Sequence, residues 1–106
     1  MMMKSTDLLT HCFLKNPNMV FRKIGGECFL VPIRQDAADL GKFYLLNEVG
    51  GRIWELIDGQ RRVLDIRDII VSEFEVSVPE AETDMTDFLK KLLAIGAICD
   101  GMSAYP

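Results

Sequence analysis

The apolar residues of this chain change their repeat at one point, and that change limits what the chain can fold into. In the run FYLLNEVGGRIWELIDGQ, Phe43 and Leu45 alternate with Tyr44 and Leu46, the period of a strand. From Asn47 onward Val49, Ile53, Leu56 and Ile57 fall at i, i+4, i+7 and i+8, the stripe of one helix face. Asn47 is a good N-cap, and Glu48 places negative charge at the positive end of the helix dipole. A strand feeding straight into a capped helix implies a mixed α+β fold. Gly50 and Gly51 sit inside this helix at a cost of about 1 kcal/mol each against Ala. Close backbone packing is the expected reason for at least one of them, and a frayed first turn is the alternative.

Upstream the pattern is that of strands. Met19 to Gly25 and Glu27 to Arg34 are rich in β-branched and aromatic residues, with Gly25 and Gly26 at the turn, so a hairpin of two antiparallel strands is predicted. In the second strand Cys28, Leu30 and Pro32 alternate with Phe29, Val31 and Ile33, making both faces apolar and leaving one to be covered from outside the sheet. Pro32 has no N–H for a ladder and belongs near a strand end or on an edge. The polar run QDAADLGK reads as a loop before the third strand, Phe43 to Leu46. Residues 1–18 have weak periodicity and end on the turn signal Asn16, Pro17 and Asn18, so they are expected to be mobile in part, ahead of one domain over 19–106.

Downstream two more helices follow. Val63, Ile66, Ile69, Ile70 and Phe74 point inward from a helix whose start has no good cap residue. Ser77 and Glu80 then form the S-x-x-E capping box of a third helix. Along it Ala81, Met85, Phe88, Leu92 and Ile95 make the predicted core seam, and Gly96 ends it. Ala97 to Cys99 is expected to add a short strand or to pack under the helices. The fold class is therefore α+β and winged helix-turn-helix-like, a three-stranded antiparallel sheet followed by three helices. At 106 residues, 49% of them hydrophobic, the chain can bury one modest core and has no room for two independent domains.

Catalytic apparatus is not visible. The single histidine, His11, lies in the weakly patterned N-terminal segment and reads as an idle surface residue. Cys12, Cys28 and Cys99 are odd in number and lack any CxxC, so they spell neither a disulfide framework nor a zinc site. The glycine pairs match no phosphate-binding fingerprint. Glu80, Glu82, Asp84 and Asp87 read as a solvated acidic face; they also put the wrong sign on the third helix for a DNA reader, as does the formal net charge of -4. Arg61, Arg62 and Arg67 form a small basic corner, either a solvated turn or a contact for an acidic partner peptide. No apolar run is long enough to span a bilayer, and a soluble cytoplasmic protein is expected. Trp54 lies beside the inward stripe and is assigned to structure.

The run YLLNEVGGRIWELIDGQRRVLDI, with the later DMTDFLKKLLAIGAI, closely resembles the PqqD-like proteins. The matching features are the strand into Leu46 and Asn47, Gly51, Ile53 and Leu56 before Asp58 and Gly59, and the inward Val63 and Ile66. Asp84, Phe88, Leu89, Leu92, Gly96 and Ile98 extend the match, which covers about residues 19–99. Arg62 departs from the family's frequent Ser or Thr cap, and Gln35 to Lys42 makes a longer loop than in the shortest members. The resemblance implies a non-catalytic peptide chaperone without cofactor. Such a protein binds the leader segment of a ribosomally made precursor peptide as an added strand and presents it to a modifying enzyme, commonly a radical S-adenosylmethionine maturase.

The residues themselves permit that role. A three-stranded sheet leaves an edge whose N–H and C=O groups can pair with a guest strand. Lys42, Phe43, Tyr44, Leu45 and Leu46 form the candidate edge. A second row on the third helix, Glu82, Thr86, Leu89 and Leu93, is the candidate facing wall, with ordinary packing against the strands as the equal alternative. A winged-helix DNA-binding protein or assembly adaptor is the second functional reading. A homodimer paired through the same edge is the third.

Overall fold

A computed structural model describes residues 8–33 and 43–100. The elements run β1 (Phe13–Lys15), β2 (Met19–Ile24), β3 (Glu27–Pro32), β4 (Tyr44–Leu46), α1 (Glu48–Leu56), α2 (Val63–Glu73), α3 (Val78–Ala94) and β5 (Ile98–Asp100). The predicted α+β order is present, an antiparallel sheet β2-β3-β4 followed by three helices. The loop assigned to QDAADLGK, and with it Lys42, lies outside the described residues.

The sheet register places Cys28 opposite Leu46 and Leu30 opposite Tyr44, all on the face toward the helices. Phe29 pairs with Leu45 on the other face. That outer face keeps its apolar residues at the surface: Ile24, Phe43 and Leu45 are all more than half exposed. The Phe29 and Phe43 rings meet edge-to-face there, with centroids 5.5 Å apart. Pro32 is the last residue of β3 and pairs only with Met19, so its missing N–H interrupts no bond to β4.

Residues 8–18 take a larger part than their pattern foretold. β1 pairs antiparallel with β5, making a second, two-stranded sheet that joins the two ends of the described chain. Leu8 and Phe13 are buried in the core with Ile98. His11 is not an idle surface residue, for its Nδ1 lies 2.7 Å from the Asp100 carboxylate. The His11 carbonyl also accepts the Val63 N–H, the first orphan donor of α2. Asp65 supplies the rest of that cap by accepting the Arg62 N–H at 2.9 Å. These two bonds explain why α2 starts cleanly without a Ser or Thr.

α3 begins and ends as its residues demand. The Ser77 side chain accepts the Glu80 N–H, and Pro79 sits in the first turn, where its missing donor costs nothing. At the other end Gly96 takes φ 74°, Gly96 N–H donates to Leu93 O and Ala97 N–H to Leu92 O. This paired arrangement needs the left-handed conformation that glycine adopts without strain, and it turns the chain back into β5. Trp54, only 3% exposed, is structural as expected; the Lys15 ammonium stands 5.3 Å from its ring centre.

Candidate functional site

β4 pairs with β3 on one side only, so among the described residues its other edge has no strand partner. The strand is short because Asn47 stops it: its side chain accepts the Gly50 N–H at 2.7 Å and starts α1. The chain therefore turns from sheet to helix within one residue, which brings the open edge beside α1 and α3.

Two adjoining hollows lie there. The first, of about 430 Å³, has Tyr44, Leu45, Leu46 and Asn47 on the strand side and Phe88, Lys91, Leu92 and Ile95 on the helix side. The second, of about 330 Å³, continues past Asn47 along α1 and is bounded by Val49, Gly50 and Ile53 opposite Asp84, Asp87 and Phe88. Asn47, Phe88 and Lys91 line both, so the two hollows form one groove with the Phe88 ring between them. A Cβ at Gly50 would meet the Phe88 ring at an ordinary contact of 3.5 Å, and its tightest neighbour would be Asn47 Oδ1 at 3.0 Å.

The predicted strand residues Tyr44, Leu45 and Leu46 all line this groove, with Tyr44 half-buried and Leu46 buried. Phe43 lies just before β4, and its ring turns to the outer face of the sheet. The helix row needs correction. Leu89 is 1% exposed, belongs to the core and lines none of these hollows, whereas the equally buried Leu92 borders the first of them. Glu82 binds Arg67 of α2 at 2.7 Å, and Thr86 lines a separate hollow with Leu9 and Thr83. Leu93 is exposed but lines none of these hollows. The core seam of α3 is met at Ala81, Met85 and Leu92, with Leu89 fully buried where Phe88 was expected. Phe88 and Ile95, assigned from sequence to the core seam, form the groove wall instead.

The basic corner is neutralised within the chain. Arg61 pairs with Asp58 at 3.0 Å and Arg62 with Asp65 at 3.3 Å, while Arg67 reaches both Asp68 and Glu82. Its two carboxylate partners, Asp68 first, hold the Arg67 pKa above its ordinary value. No set of three metal-ligating side chains converges among the described residues, and none of the described helices is long and apolar enough to cross a membrane.

Sequence reasoning missed Phe88, Lys91 and Ile95 as groove residues, along with Asn47, Val49 and Gly50.

The chain as a whole is similar to proteins already known. The family model described as coenzyme PQQ synthesis protein D (PqqD) matches residues 27–98. Among solved structures the chain is similar to TbiB1 in complex with the TbiA(beta) leader peptide, with 28% identity, TM-score 0.65 and coverage of 87% of this chain and 96% of that chain. It is also similar in fold to lasso peptide synthetase B1 complexed with the leader peptide, with 21% identity, TM-score 0.67 and coverage of 82% and 96%. No curated protein matches the chain in sequence.

Proposed function

Because the chain belongs to the PqqD family, we propose that it is a non-catalytic binding protein for the leader segment of a ribosomally made precursor peptide, which it takes up along β4 and holds for a modifying enzyme. The observation that carries this reading is the β4 edge, unpaired among the described residues, lying directly beside the Phe88 groove. Backbone pairing along the edge supplies affinity that does not depend on the guest's sequence, and the groove sorts its side chains. Two solved structures of similar fold contain leader peptides, which supports the same assignment.

The enzyme that receives the peptide is assigned here only as the one that modifies the bound precursor. A radical S-adenosylmethionine maturase, implied by the family resemblance, is one such enzyme. A lasso peptide synthetase, to which one structural neighbour belongs, is another. Edge-to-edge homodimerisation would use the same β4 groups as the guest, so we propose that peptide binding and such pairing exclude each other.

An NMR titration of the full chain with candidate leader peptides, the TbiA(beta) leader among them, tests this reading. The amides of Tyr44 to Leu46 and the Phe88, Leu92 and Ile95 side chains should shift, and the Arg61 corner should not. Shifts gathered on Glu80 and Thr83, or tight sequence-dependent binding of duplex DNA with no peptide response, would overturn it.

A further inference from the structure

The groove is chemically lopsided, and its lopsidedness specifies a guest. The Leu92–Ile95 hollow is walled by apolar side chains and bordered by one cation, Lys91. The second hollow has Val49, Ile53 and Phe88 as its apolar lining and sets Asp84 and Asp87, two anions, beside the same Lys91. Both carboxylates are on the exposed side of α3, and neither is in an ion pair or hydrogen bond among the described residues. By contrast Asp58, Asp65, Glu73 and Glu82 are each held by an arginine. Lys91 follows Asp87 by one helical turn, yet the two do not come within ion-pair distance.

Resting on the reading above, we propose that this groove selects guests with two anchors: a large apolar side chain for the Leu92–Ile95 hollow and a Lys or Arg for the Asp84–Asp87 hollow. The long stem of a cationic side chain can lie on Val49 and the Phe88 ring while its head reaches the two carboxylates. An acidic side chain there meets like charge. A purely apolar one covers the apolar lining but takes water from Asp84 and Asp87 without replacing it. Lys91 lines both hollows, but the first has no carboxylate among its lining residues while the second sets Asp84 and Asp87 against that one ammonium, so a second cation is turned aside in the first and accepted in the second. Phe88, which lines both hollows, sets the boundary between them.

Selection of a displayed random octapeptide library on the purified full chain gives the test. Enriched peptides should carry Lys or Arg at a fixed offset from a large apolar residue. For the best peptide, anisotropy titrations should show about three- to fivefold weaker binding when its cation is replaced by Met, and the same loss for Asp84→Asn/Asp87→Asn with the original peptide. The two changes combined should cost no more than either alone, and the loss should shrink at high salt. If enriched peptides depend on Phe88 but are indifferent to charge at every position, the two-anchor rule is wrong and the groove stands. If they bind equally well to Phe88→Ala, or if no peptide is enriched, the groove assignment fails and the two-anchor rule with it.

Discussion

A single methyl group added at Gly51 tests how α1 meets the sheet. A Cβ there would stand 2.6 Å from Cys28 Sγ and 3.1 Å from Cys28 Cβ, with the Phe21 ring at 3.6 Å. Cys28 is buried in the central strand β3 and has a short side chain, so it has little freedom to give way. Alanine at a helical position gains about 1 kcal/mol over glycine, whereas overpacking of a formed core costs roughly 1–3 kcal/mol. Gly51→Ala should therefore destabilise the fold by about 1 kcal/mol, against what helix propensity alone would give. Cys28→Ala deletes the sulfur and with it the shortest contact. In that background Gly51→Ala should become neutral or slightly stabilising, a coupling of about 1–2 kcal/mol in the double-mutant cycle. Urea unfolding followed by the fluorescence of buried Trp54 measures all four corners. Additive effects, or a Gly51→Ala protein more stable than the parent, would show that α1 does not approach β3 as closely as described.

Trp54→Ala should cost roughly 3–5 kcal/mol by circular dichroism while leaving peptide affinity of the folded fraction unchanged; a stable variant without affinity would contradict its structural role. Phe13→Ala should cost a similar amount, about 3–5 kcal/mol, because the ring is 3% exposed and closes the core beneath β5. A negligible effect would mean that β1 is dispensable. Asp58 is held below its usual carboxylate range chiefly by the backbone N–H groups of Arg61 and Gln60, Asp65 by that of Arg62, and Glu73 by hydrogen bonds from Arg52. Each is more acidic folded than unfolded, so its contribution is complete above its unfolded pKa of about 4 and is lost as pH falls through the lower folded value. Stability measured against pH should fall below about pH 4, and Asp58→Asn should make that fall shallower.

The hairpin, the β4-to-α1 junction and the ends of α3 were legible because each rests on residues adjacent in sequence: Gly25 with Gly26, Asn47 with Gly50, Ser77 with Glu80. The pairing of β1 with β5 was not. Phe13 and Ile98 are 85 positions apart in the numbering, and a three-residue strand is too short to show a period. The cap of α2 was hidden for the same reason. Its first donor is met by the His11 carbonyl, far upstream, and Asp65 closes the turn on an arginine N-cap, so no Ser, Thr or Asn advertised the helix start. Gly51 shows the intermediate case: its cost announced a close approach, but only the fold names Cys28 as the neighbour.

The setting of α3 decides which residues a guest can touch, and here sequence periodicity is degenerate. Met85, Phe88, Leu92 and Ile95 follow helical spacing as well as Met85, Leu89 and Leu92 do, and both sets are apolar. The tie is broken by β4, whose short run leaves Phe88 beside Asn47 and Gly50 while Leu89 faces inward. A pair of neighbouring substitutions tests this. Leu89→Ala should cost about 2–5 kcal/mol, since the side chain is 1% exposed, and should leave the affinity of the remaining folded protein unchanged. Phe88→Ala removes a half-buried ring and should cost less than the roughly 3–5 kcal/mol of a fully buried phenylalanine, yet it should lower peptide affinity in protein that is fully folded. Denaturant titrations establish the first quantity for both variants, and anisotropy well below the unfolding transition establishes the second. A Leu89→Ala protein of parental stability that has lost peptide binding would put Leu89 in the groove wall and return α3 to the setting expected from its sequence.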